Sequence, residues 1–310
     1  MLRAMTSSSN AADPLATVIA LLRPQAVLSK LISGAGRWSV RYAAQHDPAF
    51  CLVLEGACSL DLDGLGVVEL REGDFVLLPS TPGFTLASDL DARPTPTVPI
   101  DIRELRHGVA SGPPTMRMLG GYFRFHPSNA AFLVPLLPSF VHIPRAEPGA
   151  VRLMRIAELI DEETRAERPG RELMLERLVE VLLVEALRFR FASIAAEEHG
   201  LLAGLSDPAL ARSLRLVHAD VARRWTVAEL ARVAGMSRAV FAERFTRTVG
   251  MPPMQYVLEW RMAIAKEILR RERPSLAEVA GRVGYQSASA FSTAFTRLTG
   301  GSPSEFAREG

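Results

Sequence analysis

Six histidines and two cysteines are the side chains on which metal or thiol chemistry would have to rest. His46, His107, His126, His142, His199 and His218 are scattered, with no two at the spacing of a ligand pair. No Ser/His/Asp set, phosphate-cradling glycine loop or dinucleotide fingerprint accompanies them. These residues point to no cofactor and to no enzyme. Cys51 and Cys58 admit two readings. If Glu55-Gly56 is a two-residue hairpin turn, Cys51 opposes Leu60 and Cys58 is its diagonal neighbour, at roughly 7–8 Å. That is slightly long for a disulfide. The pair is then either a thiol redox or electrophile sensor, or two small buried apolar residues.

The other chemistry on offer is ionic. From Leu205 to Gly310 there are 16 basic against 10 acidic side chains, although the whole chain carries only +2. A basic end is the candidate for meeting a polyanion. Arg238, Arg244, Arg247 and Arg297 are the guanidinium groups of this region suited to phosphate oxygens, contacts that position a duplex without reading its sequence. The alternative for each is a solvated surface charge.

A repeat of about fifty residues would position these arginines. Residues 228–256 read AELARVAGMSRAVFAERFTRTVGMPPMQY, and residues 277–306 read AEVAGRVGYQSASAFSTAFTRLTGGSPSEF. With one extra residue, Gln286, the two align at Ala228/Ala277, Glu229/Glu278, Ala231/Ala280, Gly235/Gly284, Ser237/Ser287, Phe241/Phe291, Phe245/Phe295, Gly250/Gly300 and Pro253/Pro303. Thr226 with Glu229, and Ser275 with Glu278, have capping-box spacing. Gly235 and Gly284 suit a left-handed turn residue. Ser237 and Ser287 suit the N-cap of the next helix. The paired phenylalanines, four apart, anchor that helix by one face. Each copy predicts helix, turn, helix, as a DNA-reading unit requires, at about 226–249 and 275–299. Between them, 254–271 predicts a helix about 27 Å long, near the roughly 34 Å of one DNA turn. The competing reading is a helical bundle with a duplicated hairpin and no DNA role.

Upstream the texture changes twice. Leu15, Val18, Ile19, Leu22 and Val27 predict a helix over 15–32, broken near Pro24. From Trp38 to about Val141, short apolar runs between Gly, Pro and Asp turns predict a β-sandwich or barrel. Residues 151–166 and 172–192 predict two amphipathic helices. The second is apolar over most of its circumference, which fits packing on its own domain or a dimer interface. Hydrophobic residues make up 48% and charged residues 23% of the 310-residue chain, enough for two packed domains. No run of about eighteen apolar residues and no secretory leader occurs, so the expected setting is the cytoplasm, with no membrane partner.

These residues carry a family resemblance. Trp225-Thr226 with AELA, MSRAVFAERFTRTVGMPPMQYVLEWRM and EVAGRVGYQSASAFSTAFTRLTGGSPSEF resemble the AraC/XylS regulators over about Ser206–Glu309. Weaker features, Trp38, residues 50–64 and 70–82 and GGYFRF at 120–125, look like the cupin-type effector domain of one branch of that family. The resemblance implies an α+β chain: a cupin-like β-barrel over 1–148, a helical connector or dimerisation segment over 149–204, and a DNA-binding domain over 205–310. It implies a homodimeric transcriptional regulator that binds promoter DNA and answers to a small organic effector, with RNA polymerase a further partner if it activates. The base-facing surface implied for the first unit falls on Arg238, Ala239, Ala242 and Glu243, and for the second on Ala288, Ser289, Ser292 and Thr293, with Ser287 at the helix start. Glu243 either accepts from cytosine N4 or pairs with Arg247 four residues on.

A cupin domain holding a metal enzyme site is the rival from another class, alongside the thiol sensor. Here only His46 falls in the first cupin motif, and Phe84 stands where the family often has His. Without imidazole ligands the expectation is a metal-free pocket lined by Trp38, Tyr42, Phe50, Phe75 and Phe84, with Arg41 or His46 orienting a mostly apolar ligand.

Overall fold

A computed structural model describes residues 13–45, 47–97, 104–166, 168–192, 199–272 and 274–309. The chain forms two compact units that interleave along the sequence. One contains Arg23–His126 and Leu137–Ser193; the other contains Met1–Leu22, Pro127–Leu136 and Ile194–Gly310. The family resemblance draws boundaries at 148/149 and 204/205. The contacts instead group α1 (Pro14–Leu22) and α2 (Pro127–Leu133) with the C-terminal helices.

The first unit is built on strands β1 (Gln25–Ala35), β2 (Ser39–Tyr42), β3 (Ala49–Glu55), β4 (Ala57–Leu62), β5 (Gly66–Arg71), β6 (Phe75–Leu78), β7 (Phe84–Ala87), β8 (Thr95–Thr97), β9 (Glu104–Gly108), β10 (Met116–Arg124) and β11 (Val141–Ile143). They make two sheets rather than a closed barrel: six strands in the order β11-β6-β3-β10-β1-β9, and five in the order β5-β4-β7-β2-β8. Alternation places one side chain in two between the sheets. Val40 and Tyr42 point in while Arg41 does not; Cys58, Leu60 and Leu62 point in while Ser59 and Asp61 do not. Helices α3 (Ala150–Arg165) and α4 (Arg171–Ala192) pack on the six-stranded sheet through β1, β6 and β11.

Two expectations are corrected here. Residues 25–32 are strand, not helix. β1 lies between β10 and β9 in a sheet covered by helices on one side and by the second sheet on the other. A strand buried on both faces loses its period of two and reads like a short buried helix. The second correction concerns Glu55-Gly56, which is not a hairpin turn within one sheet. β3 pairs with β10 and β6, whereas β4 pairs with β5 and β7, so the chain changes sheets there.

The second unit is all helical. α5 (Leu201–Ser206), α6 (Pro208–Ala219), α7 (Val227–Ala234), α8 (Arg238–Val249), α9 (Pro253–Glu272), α10 (Leu276–Arg282), α11 (Ala288–Thr299) and α12 (Pro303–Glu309) follow α1 and α2. The 20-residue α9 is about 30 Å long and is its spine. Tyr256 and Trp260 of α9 are fully buried. Lys266 of α9 donates to the Ser128 carbonyl at 2.6 Å, and the Asn129 amide donates to the Leu21 carbonyl at 3.2 Å. Those bonds tie α2 to α9 and α1.

Candidate nucleic-acid interface and effector cavity

The repeat of the sequence is a repeat of structure. Thr226 accepts from the Glu229 backbone N–H at 3.2 Å, and the Glu229 carboxylate accepts from Thr226 N–H at 2.9 Å. Ser275 and Glu278 do the same at 3.3 and 2.8 Å. The Thr226 and Ser275 hydrogen bonds hold both glutamates below the ordinary carboxylate pKa. After α7 and α10 the chain turns through Gly235 (φ 74°) and Gly284 (φ 83°), both left-handed. Ser237 then accepts from Val240 N–H at 3.4 Å, and Ser287 from Ala290 N–H at 3.1 Å. The anchoring face repeats as well. Phe241 and Phe245 have ring centroids 5.6 Å apart, as do Phe291 and Phe295. Phe245 meets Tyr256 edge-on at 5.8 Å, and Phe295 meets Phe306 edge-on at 5.7 Å.

With the phenylalanines inward, the opposite side of each second helix faces out. On α8, Arg238, Ala239, Glu243 and Arg247 are exposed and Ala242 is half-buried. On α11, Ser289, Thr293 and Arg297 are exposed, with Ala288 and Ser292 half-buried. The Thr293 hydroxyl donates to the Ser289 carbonyl at 3.1 Å, which leaves its methyl and the acceptor lone pairs of the hydroxyl on offer. Glu243 and Arg247 form no ion pair among the described residues. Val240, which the sequence reading passed over, is 53% exposed on the outward side of α8. Its signal was an apolar residue outside the Phe241/Phe245 stripe.

Arg244 is a correction. Its Nε donates to Asp207 Oδ2 at 2.7 Å and its Nη2 lies 2.6 Å from the same oxygen. The other oxygen, Oδ1, accepts from Ala209 and Leu210 N–H and caps α6. Arg244 therefore fastens α8 to the start of α6 and is not a free phosphate ligand. Several other basic groups are likewise taken: Arg282 by Glu272, Arg271 by Glu267 and Arg223 by Glu229. Arg238, Arg247 and Arg297 have no acidic partner among the described residues.

A cavity of about 80 Å³ lies between the two sheets. Of the residues expected there, Tyr42 and Phe84 line it with rings stacked at 4.7 Å, while Phe50 borders it from β3 with its ring on the sheet's other face. Trp38 lies in the same core but stacks on His107 at 5.5 Å, away from the cavity. Phe75 alternates with the inward Val76 and stacks on Phe50 at 6.4 Å, outside the inter-sheet core. Arg41 faces outward and donates to Asp63 at 2.5 Å. His46 lies outside the described residues. Lys30, Gln45 and Cys51 line the cavity and were missed. Lys30 fell in the segment read as helix. Burial pushes the Cys51 thiol up, and the Cys58 thiol up to about 12. Both are protonated at neutral pH and poor nucleophiles. Among the described residues no three His, Cys, Asp or Glu side chains are grouped to hold a metal.

Comparison with known proteins adds the family. A cupin family profile matches residues 13–192, and a helix-turn-helix domain profile matches 230–309. A putative AraC-like transcription regulator of Streptomyces lividans is 36% identical over 301 residues, covering 95% of this chain and 97% of the relative. One from Streptomyces antibioticus is 37% identical over 297 residues, covering 95% and 98%. The crystal structure of the AdpA DNA-binding domain in complex with a target DNA is 33% identical, covering 34% of this chain and 93% of that one, with a TM-score of 0.32. The inter-sheet cupin core, the doubled helix-turn-helix and full-length relatives agree, and the chain belongs to the AraC-like family of transcription regulators.

Proposed function

We propose that this regulator binds promoter DNA with α8 and α11 in the major groove, and that a small organic molecule held between the sheets of the cupin unit controls it. The observation that carries the DNA part is the matched presentation of α8 and α11, each capped by serine, anchored by two phenylalanines and turned outward. α9, which joins the two helix-turn-helix units, is about 30 Å long, close to the roughly 34 Å of one helical turn of DNA. Arg238, Arg247 and Arg297 contact phosphates, as does the Ser287 hydroxyl at the helix start. Base readout falls on Glu243, Ala239, Val240 and Ala242 in the first unit and on Ala288, Ser289, Ser292 and Thr293 in the second. Glu243 accepts from cytosine N4, while Val240 and the Thr293 methyl suit thymine methyl groups.

The effector part rests on the cavity, whose β1 wall packs against α4 on its other side. A ligand that shifts β1 biases α4. Leu173, Met174 and Val181 of α4 are 58%, 50% and 46% exposed, which supports α4 as the homodimer contact. The protein acts in the cytoplasm as a regulator and not as an enzyme, with RNA polymerase as partner where it activates. Footprinting on the promoter regions adjoining its own gene tests the DNA part. Protection of two sites one turn apart, lost at high salt, is expected. Equal affinity for unrelated duplexes at every salt concentration would overturn it.

A further inference from the structure

The two helix-turn-helix units hold different stretches of α9. α10 and α11 pack against Met262, Ala265, Ile268 and Leu269, in a core cluster that contains no residue of α6, α7 or α8. α8 instead reaches α9 through the Phe245 and Tyr256 rings, and α6 through His218 and Trp260. Arg261 stands between these two stretches. Its Nε donates to the Val221 carbonyl at 3.0 Å and its Nη2 to the Arg223 carbonyl at 2.6 Å. Both carbonyls belong to the segment that leads from α6 into α7. The carbonyl between them, that of Ala222, lies against Gly284, the turn residue of the second unit. A Cβ on Gly284 would sit 2.3 Å from that oxygen and 2.9 Å from Arg261 Nη2. Arg261 therefore holds the entry to the first unit against the turn of the second.

Other bonds stiffen the same segment. Asp220 Oδ1 accepts from the Arg223 N–H at 3.1 Å, and the Asp220 carbonyl accepts from the Trp225 indole N–H at 3.0 Å. The Arg223 guanidinium lies 4.2 Å from the centre of the Trp225 ring. Thr226, the cap of α7, follows directly, so a shift of 221–223 takes α7 and α8 with it. On the other side, Tyr285 follows Gly284 and meets Phe291 of α11 edge-on at 5.8 Å. The Arg261 guanidinium is half-buried and stays charged, so both of its bonds are charge-assisted. We propose that Arg261 is a positioning residue for DNA recognition, which fixes the distance and angle between α8 and α11 and so sets the spacing of the paired DNA sites that one chain accepts. This rests on the reading that α8 and α11 both enter the major groove. One added base pair moves the second site by about 3.4 Å and turns it by roughly 35°. For α11 to follow, Gly284 must part from Ala222 and the bonds from Arg261 to Val221 and Arg223 must break. A planar guanidinium holds two carbonyls at once, which a lysine ammonium on a flexible stem does less well.

The test uses the full chain and duplexes that it selects from a randomised library. One base pair is then inserted or removed between the two protected segments. Linked modules lose their joint affinity when geometry forbids simultaneous engagement, so the parent should bind the altered spacings at least about thirtyfold more weakly. Arg261→Met should narrow that penalty to within about fivefold, because the two units can then adjust to each other. It should bind duplexes that keep only one of the two segments within about twofold of the parent, since Arg261 lies on neither reading face. Arg261→Lys should give a penalty between those of the parent and Arg261→Met, and it decides the question if Arg261→Met does not fold. A penalty as large as the parent's in either variant, with every duplex bound more weakly by one common factor, would mark Arg261 as structural only and overturn the proposal. A parent that accepts the altered spacings as readily as the selected one would overturn the proposal and leave DNA binding by the two units intact. A parent that binds one-segment duplexes as tightly as the selected pair would overturn the reading that both helices enter the groove.

Discussion

The imidazole of His218 lies flat on the indole of Trp260, with ring centroids 3.8 Å apart and planes 5° from parallel. Its Nε2 is 2.6 Å from the Tyr256 hydroxyl, so the histidine joins α6 to α9 through two aromatic residues. It is 8% exposed, and burial pushes its pKa down to about 3. A ring stacked this closely and cut off from water is held neutral.

The helical unit should therefore weaken in mild acid. His218 binds its proton more weakly in the folded chain, with a pKa of about 3, than in the unfolded one, with a pKa near 6.5. Its contribution is complete above pH 6.5 and is lost as the pH falls toward 3, at up to about 1.4 kcal/mol per pH unit. Melting curves from pH 7 to pH 5 should show a steeper decline in the parent than in His218→Gln. Parallel declines in the two proteins would refute the assignment.

The arginines should separate by role. Arg247→Ala and Arg297→Ala should weaken binding evenly across DNA sequences and reduce the salt slope by about 1 each, without lowering the melting temperature. Arg244→Ala should instead destabilise the fold by about 1 kcal/mol, because it breaks the contact to the half-buried Asp207 cap. Arg244→Lys should restore it only in part, since the guanidinium lays two nitrogens against Asp207. Binding isotherms at several salt concentrations, run beside thermal melts, distinguish the two classes.

Glu243 should read one base pair. Glu243→Ala should raise affinity for non-specific DNA, since a negative charge leaves the phosphate-facing side. It should also remove about 1–3 kcal/mol of preference at a single position. Selection from a randomised operator library measures this. An unchanged consensus would place Glu243 away from the bases.

The two turn glycines should differ despite their equivalence in the repeat. A Cβ on Gly235 would meet nothing nearer than the Arg212 guanidinium at 4.0 Å, so Gly235→Ala costs only its left-handed backbone, about 1 kcal/mol. A Cβ on Gly284 would sit 2.3 Å from the Ala222 carbonyl oxygen. Gly284→Ala adds that backbone collision and should be clearly the more destabilising in urea titrations. Equal effects would contradict the packing around Ala222.

The helical unit was legible in the chain because its signals are local. Thr226 and Glu229, Ser275 and Glu278, and the two phenylalanine pairs act over three or four residues, and a helix places such neighbours side by side. The outward residues of α8 and α11 followed once the inward ones were known. The sheets were different. β1 is buried on both faces, which erased its alternation and hid Lys30 within an apparent helix. β3 and β4, adjacent in sequence, joined opposite sheets, because strand pairing depends on distant partners such as β10 and β7. Arg244 found Asp207, 37 residues away, and left the set of candidate phosphate ligands. Caps, turns and helix faces were thus determined by the sequence itself. Which side chains share the cavity, and which charges are already paired, was decided only by the tertiary structure, because those contacts join segments that no local spacing relates.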